Sequence, residues 1–187
     1  MKTALLVIDY INGIINGSCK DYVEKHPIIK NTNKLIAHCR AHNIRIYHIR
    51  VAFDKNYTGL PKHSPLFNQA KQKGLFQIGN QDVEFINSID VNPSDTIINK
   101  VAASPFRSKE LLESLNDSHI EKLIFSGVAT DNAINLGVRE AHDMGFYAVI
   151  VEDACGASSE ESHQMAITLL KKISNEIVDT NEALQCR

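Results

Sequence analysis

No CxxC pair and no HExxH motif occurs in the 187 residues, and the four cysteines, Cys19, Cys39, Cys155 and Cys186, lie far apart. Neither a disulfide framework nor a zinc site is suggested, because both need closely set ligands or paired spacings. The eight histidines are as dispersed, and the loop after the second apolar run has no D-x-H pair to hold a metal. No metal or other cofactor is therefore expected. An excess of basic charge is also missing: a net charge of -2 leaves no electrostatic footprint for nucleic acid. Long apolar runs are absent too, since the first, Ala4 to Ile8, has five residues, too few for a signal peptide or a membrane span. The expectation is a cytoplasmic protein without a membrane partner. With no internal repeat, low-complexity tract or linker, the chain reads as one domain over residues 1–187.

What is present is an alternation. The apolar runs "ALLVI", "IRIYHI", "DTIINK", "KLIFSG", "YAVIV" and "EIV" are separated by helical patterns such as "PIIKNTNKLIAHCRAH", "SKELLESLND" and "ESHQMAITLLKKIS". Strand followed by helix, repeated, implies an α/β fold: a doubly wound, six-stranded parallel sheet with helices on both faces. The strands are continuously apolar, as burial on both faces requires. Residues 51–80 are polar, aromatic and weakly periodic, which suggests a lid-like insertion, because long loops in compact domains are often functional.

Ligands of such sheets bind beyond the carboxyl ends of the strands. Asp9, Arg50, Lys100, Gly127 and Asp153 punctuate those ends. An acid and a base from different strands, facing a helix N-terminus, would form a catalytic constellation. Each residue also has an ordinary explanation. Asp9 is either a reactive carboxylate or a turn residue, and Lys100 either a site base or a lysine snorkelling to solvent. Asp153 reads as an organiser of the loop before the last long helix, with Ser158 or Ser159 as its cap, and Cys155 as a small core residue. His63, in "PKHSPLF", either touches ligand or sits solvated in its loop.

The stretch "SGVATDNAINLGVREAHDMG" breaks an apolar strand at Ser126-Gly127 and enters a helix through Thr130-Asp131, residue types that can cap free amides. Such a turn is suited to an anion or oxyanion. A reactive side chain would face it from the first helical turn, where the sequence has Ala133, a methyl group.

Together with "ALLVIDYIN" and "DTIINKVAASPF", this stretch, continued to "FYAVIVEDACGASSEESH", resembles the isochorismatase-like hydrolases, or cysteine hydrolases, over essentially the whole chain. The resemblance implies a small-molecule substrate and assembly as a homodimer or homotetramer. In the amidase branch an Asp and a Lys accompany a Cys, and by position these correspond to Asp9, Lys100 and Ala133. The resemblance also points to the backbone N–H groups of Ala129 and Ala133 as oxyanion donors, with a cis peptide between Val128 and Ala129. Asn12, Phe53, Tyr57, His63, Phe67 and Phe106 are the expected substrate-binding residues, with ordinary core filling an equal alternative for Phe106. Metal-using members carry an Asp and histidines after the second strand, where this chain has only Asp54 and the distant His63. Three functions follow: an amide or ureide (C–N) hydrolase, active or an inactivated variant, whose nucleophile position holds Ala133; a Cys-independent isochorismate-type vinyl ether hydrolase with Asp9 as general acid; or a binding protein without turnover.

Overall fold

In the computed structural model, residues 1–185 are described, and Cys186 lies outside them. The strands β1 (Thr3–Ile8), β2 (Arg45–Val51), β3 (Thr96–Lys100), β4 (Lys122–Val128), β5 (Tyr147–Gly156) and β6 (Glu176–Val178) form one parallel sheet in the order β3-β2-β1-β4-β5-β6. Strand order reverses between β1 and β4, and a doubly wound sheet opens its ligand crevice at such a reversal. The expected strands are all present. β5 extends to Gly156, beyond the "YAVIV" run, because a bulge between Phe125 and Gly127 lets β4 pair again with Cys155 and Gly156.

Helices cover both faces because β1 is apolar on both sides. Leu6 and Ile8 join the core built with Phe125, Val138 and Ile167, whereas Leu5 and Val7 join Ile36, Val149 and Ile28. On the first face lie α4 (Lys109–Asp117), α5 (Asn135–Asp143) and α6 (Glu160–Leu170); on the second lie α2 (Ile28–Ala41) and the short α7 (Thr180–Ala183). Ser108 caps α4 and Ser159 caps α6, each side chain accepting a backbone N–H of the first turn. A further short helix, α1 (Lys20–Lys25), follows a π-turn at Ile14–Ser18.

The weakly periodic stretch contains a helix that its pattern does not announce, α3 (Pro65–Gln72), begun by the Ser64 cap and a proline in the first turn. Phe53, Tyr57 and Phe67 form a small aromatic core of their own beneath it. Asp54 fixes the preceding loop by accepting from the N–H groups of Asn56 and Thr58.

At Gly127 the chain turns toward the crevice with φ +144°, and a Cβ there would stand 2.3 Å from the Ile8 carbonyl oxygen. Close approach of β1 and β4 at their ends thus depends on a missing side chain. Gly127→Ala is expected to cost about 3 kcal/mol, read as a lower urea midpoint. An unchanged midpoint would mean that the strand ends separate freely.

Candidate functional site

Asp9 follows β1 in the left-handed region, φ 58°, an uncommon conformation for a residue with a side chain. Its N–H bonds the Ile49 carbonyl and its carbonyl accepts from Ile11, so the carboxylate is held on a fixed turn at the reversal point. It is 2% exposed. Its Oδ1 accepts from Val51 N–H at 2.8 Å, and its Oδ2 lies 2.8 Å from Lys100 Nζ. Lys100, the last residue of β3, is 1% exposed and also donates to the carbonyls of Ala102 and Ala103, at 3.1 and 2.9 Å. The lysine does not snorkel: the bend after β3 turns these carbonyls onto its ammonium. Burial raises the Asp9 pKa above its ordinary value, while the charge and hydrogen bond of Lys100 and the Val51 amide act in the opposite direction.

Opposite this pair, β4 ends in the peptide Val128–Ala129, which is cis. A π-turn, Thr130–Ile134, leads into α5 and carries Asn132 and Ala133 to the crevice. Asn132 and Ile134 donate their N–H groups to the Ala129 carbonyl. The side chains expected to cap this turn do otherwise. Thr130, fully buried, meets His163 Nδ1 of α6 at 2.9 Å, and Asp131 points into solvent. Burial lowers the His163 pKa, and its other nitrogen faces Glu152 Oε1 at 3.9 Å. The hydrogen bond between the Thr130 hydroxyl and His163 Nδ1 ties the turn to α6.

Between the pair and the turn lies a cavity of about 130 Å³. Asp9, Lys100, Ala129, Ala133 and Phe67 line it, as the sequence leads one to expect. Five other expected residues do not. Phe106 stacks on Phe146 in the α4–α5 face of the core, 6.1 Å between ring centres. Phe53 and Tyr57 lie in the aromatic core behind the wall, and the Tyr57 hydroxyl is spent on the Leu75 carbonyl. Asn12 is turned to residues 81–84, where its side chain donates to the Gln81 carbonyl and its N–H to that of Glu84. His63 is exposed in its loop. Their places on the wall are taken by Ile14 and Ser18 from the π-turn after β1, Leu66 and Ala70 from α3, Phe76, Ala103 and Val51. The one available signal was Phe67 itself, whose helix face is shared by Ala70 three residues on once α3 has formed.

A wider depression of about 380 Å³ lies beyond His163, among Tyr22, His26, Glu152, Asp153 and Glu160. Its acidic groups are engaged by neighbours: Asp153 by Asn31 and Thr180, Glu160 by His26, Glu152 by Gln164. It shares no wall residue with the Asp9 cavity, and the opposed acid, base and helix turn make the smaller cavity the candidate site. Among the described residues no group of His, Cys, Asp and Glu is arranged to hold a metal ion, and no helix is long and apolar enough to cross a membrane.

The isochorismatase domain model matches residues 3–182. The chain belongs to the isochorismatase family. Among its relatives, the uncharacterized isochorismatase family protein YwoC of Bacillus subtilis is 26% identical over 169 residues, 90% of this chain and 85% of that protein. The ureidoacrylate amidohydrolase RutB of Acinetobacter baylyi is 25% identical over 198 residues, 96% of this chain and 81% of that protein. The family fold extends to solved structures at lower identity. A cysteine hydrolase from Pseudomonas syringae superposes with a TM-score of 0.87 at 18% identity, covering 98% of this chain and 91% of that one. An isochorismatase family protein from Desulfovibrio vulgaris gives 0.84 at 19%, covering 100% and 99%. In the turn that closes the site, this isochorismatase-family chain holds the methyl of Ala133.

Proposed function

We propose that the protein hydrolyses a C–N bond of amide or ureide type in a small molecule, with Asp9 moving the proton and water attacking directly. The observation that carries this reading is the buried Asp9–Lys100 pair on one wall of the cavity, facing a helix-opening turn that has no nucleophile. Asp9 takes a proton from water as its oxygen bonds the carbonyl carbon. The oxyanion that forms is received by the Ala129 and Ala133 N–H groups. Collapse expels the amine, which takes the proton back from Asp9. Lys100 keeps the carboxylate in place and opposes the effect of burial. No acyl–enzyme forms, because position 133 offers no atom to acylate. The amidohydrolase named among the relatives supports this bond type.

A second reading is the hydrolysis of a vinyl ether, with Asp9 protonating the enol carbon. The upward shift of the Asp9 pKa favours it, since a raised pKa keeps the acid form to higher pH. A protein that binds and does not turn over is the third reading. The deciding experiment screens the purified protein against small amides, ureides and isochorismate, with intact-mass analysis of quenched reactions. Amide or ureide turnover without a covalent adduct is the expected result. Turnover of vinyl ethers alone would move the assignment to the second reading, and none at all to the third. The resemblance to the family also supports a cytoplasmic homodimer or homotetramer, which light scattering on the eluting protein would test.

A further inference from the structure

We infer that the site selects an uncharged ligand about the size of one ring, and that it does so because Lys100, the only cation among the described residues that line it, has no hydrogen-bond donor left to offer. This deepens the hydrolase reading and rests on its choice of site.

An ammonium has three N–H donors. Those of Lys100 are matched by three acceptors, Asp9 Oδ2 at 2.8 Å, the Ala103 carbonyl at 2.9 Å and the Ala102 carbonyl at 3.1 Å. Its charge is balanced by the same Asp9. Among the described residues no arginine, histidine or second lysine lines the cavity, so a carboxylate arriving there meets no free cation. Desolvating an unpaired carboxylate is strongly unfavourable. A cationic ligand fares no better, since Lys100 already holds the single acid on the wall. What remains is apolar surface, chiefly Ile14, Val51, Leu66, Phe67, Phe76 and Ala103, with the polar groups Ser18 and Asn132 available to an amide. The cavity measures about 130 Å³, and apolar cavities of about 150 Å³ hold one benzene ring. An uncharged amide or urea carrying a single ring or short chain fits both limits. A dicarboxylate fails on charge at any size.

Benzamide, benzoate and benzamidinium share one shape and carry no charge, one negative and one positive charge. Their affinities, measured by titration calorimetry and ligand-observed NMR, need no turnover. Benzamide is expected to bind at least about ten times more tightly than either ion, a difference of about 1.4 kcal/mol. Asp9→Asn releases a Lys100 donor and leaves the pair positive, so benzoate should gain at least about tenfold there. Leu66→Arg, at a position 53% exposed and tolerant of charge, brings a free cation to the wall and should give the same gain if the first variant does not fold.

Benzoate binding the unaltered protein as tightly as benzamide would overturn the inference. So would a failure of all three probes to bind, or of benzoate to gain in a folded variant. Benzamide bound and never hydrolysed, with every other neutral amide inert, would sink the amide-hydrolase reading while leaving the selectivity standing. Turnover of an anionic amide would do the reverse.

Discussion

Asp9→Asn is expected to lower kcat/KM for any substrate of this protein by about 1,000-fold, within the range that a positioned proton-transfer group supplies. The substitution keeps the shape of the side chain and can still accept from the Val51 N–H, but it cannot take up and return a proton. The pH profile of the unaltered protein separates the two chemistries. Burial raises the Asp9 pKa. As a general base Asp9 must be ionised, so activity would fall as pH drops through that raised pKa, above the usual carboxylate range. As a general acid it must be protonated, so activity would fall as pH rises through the same value. A variant as active as the parent would remove Asp9 from the mechanism.

The second large effect is a gain. Ala133→Cys should create a thiol more reactive than Cys19, Cys39 or Cys155, measured as its rate of alkylation by iodoacetamide near pH 7. A thiol in the first turn at a helix N-terminus ionises below its free value of about 8.5. The native thiols are the internal comparison. Burial pushes Cys19 up to about 11 and Cys39 and Cys155 up to about 12, which leaves them almost wholly protonated and slow. A pKa below about 8.5 against those of the buried thiols corresponds to at least about 300-fold more thiolate near pH 7, only partly offset by lower intrinsic nucleophilicity. The same variant should hydrolyse at least one small amide through an acyl–enzyme visible by mass. A folded Ala133→Cys protein with an inert thiol would show that the turn was shaped for other chemistry.

The fold and the acid–base pair that lines the cavity were largely legible in the sequence because both are written in strongly periodic or punctuated segments. Five of the six runs are long enough to be read as strands by themselves, and the three-residue "EIV" is held as one by pairing with Val149–Val151 of β5. Asp9 and Lys100 interrupt such runs where a parallel sheet places its ligands. The wall of the cavity was less legible, for a different reason at each residue. Aromatic character marks Phe53, Tyr57 and Phe106 as buried, yet it does not tell a wall from the core behind it. Asn12 and His63 are polar near the right segments, but Asn12 is committed to neighbouring carbonyls and His63 to solvent. Leu66 and Phe76 come from a stretch whose helix is set by a Ser64 cap and by packing on Phe53 rather than by its own periodicity. Thr130 was read as a cap from its local position, and the distant His163 takes its hydroxyl instead. Sequence patterns report what a segment does alone; the wall is made by what segments do to one another.

The fastening of residues 53–78 bears on how quickly the site can exchange its contents. Phe53 donates its N–H to Phe76 and accepts from Ile78, Tyr57 reaches the Leu75 carbonyl, and the Asp82 carboxylate accepts from Phe76 N–H. Swinging the stretch aside would break these bonds together, each worth about 1 kcal/mol, along with its aromatic packing. A molecule leaving the cavity has a cheaper route past the Leu66 side chain, which stands half in solvent at the mouth. Rotation of such a side chain takes picoseconds to nanoseconds, whereas the opening of loops and lids takes microseconds to milliseconds. Residence times at this site should therefore follow affinity alone, and product release should not set the pace of turnover.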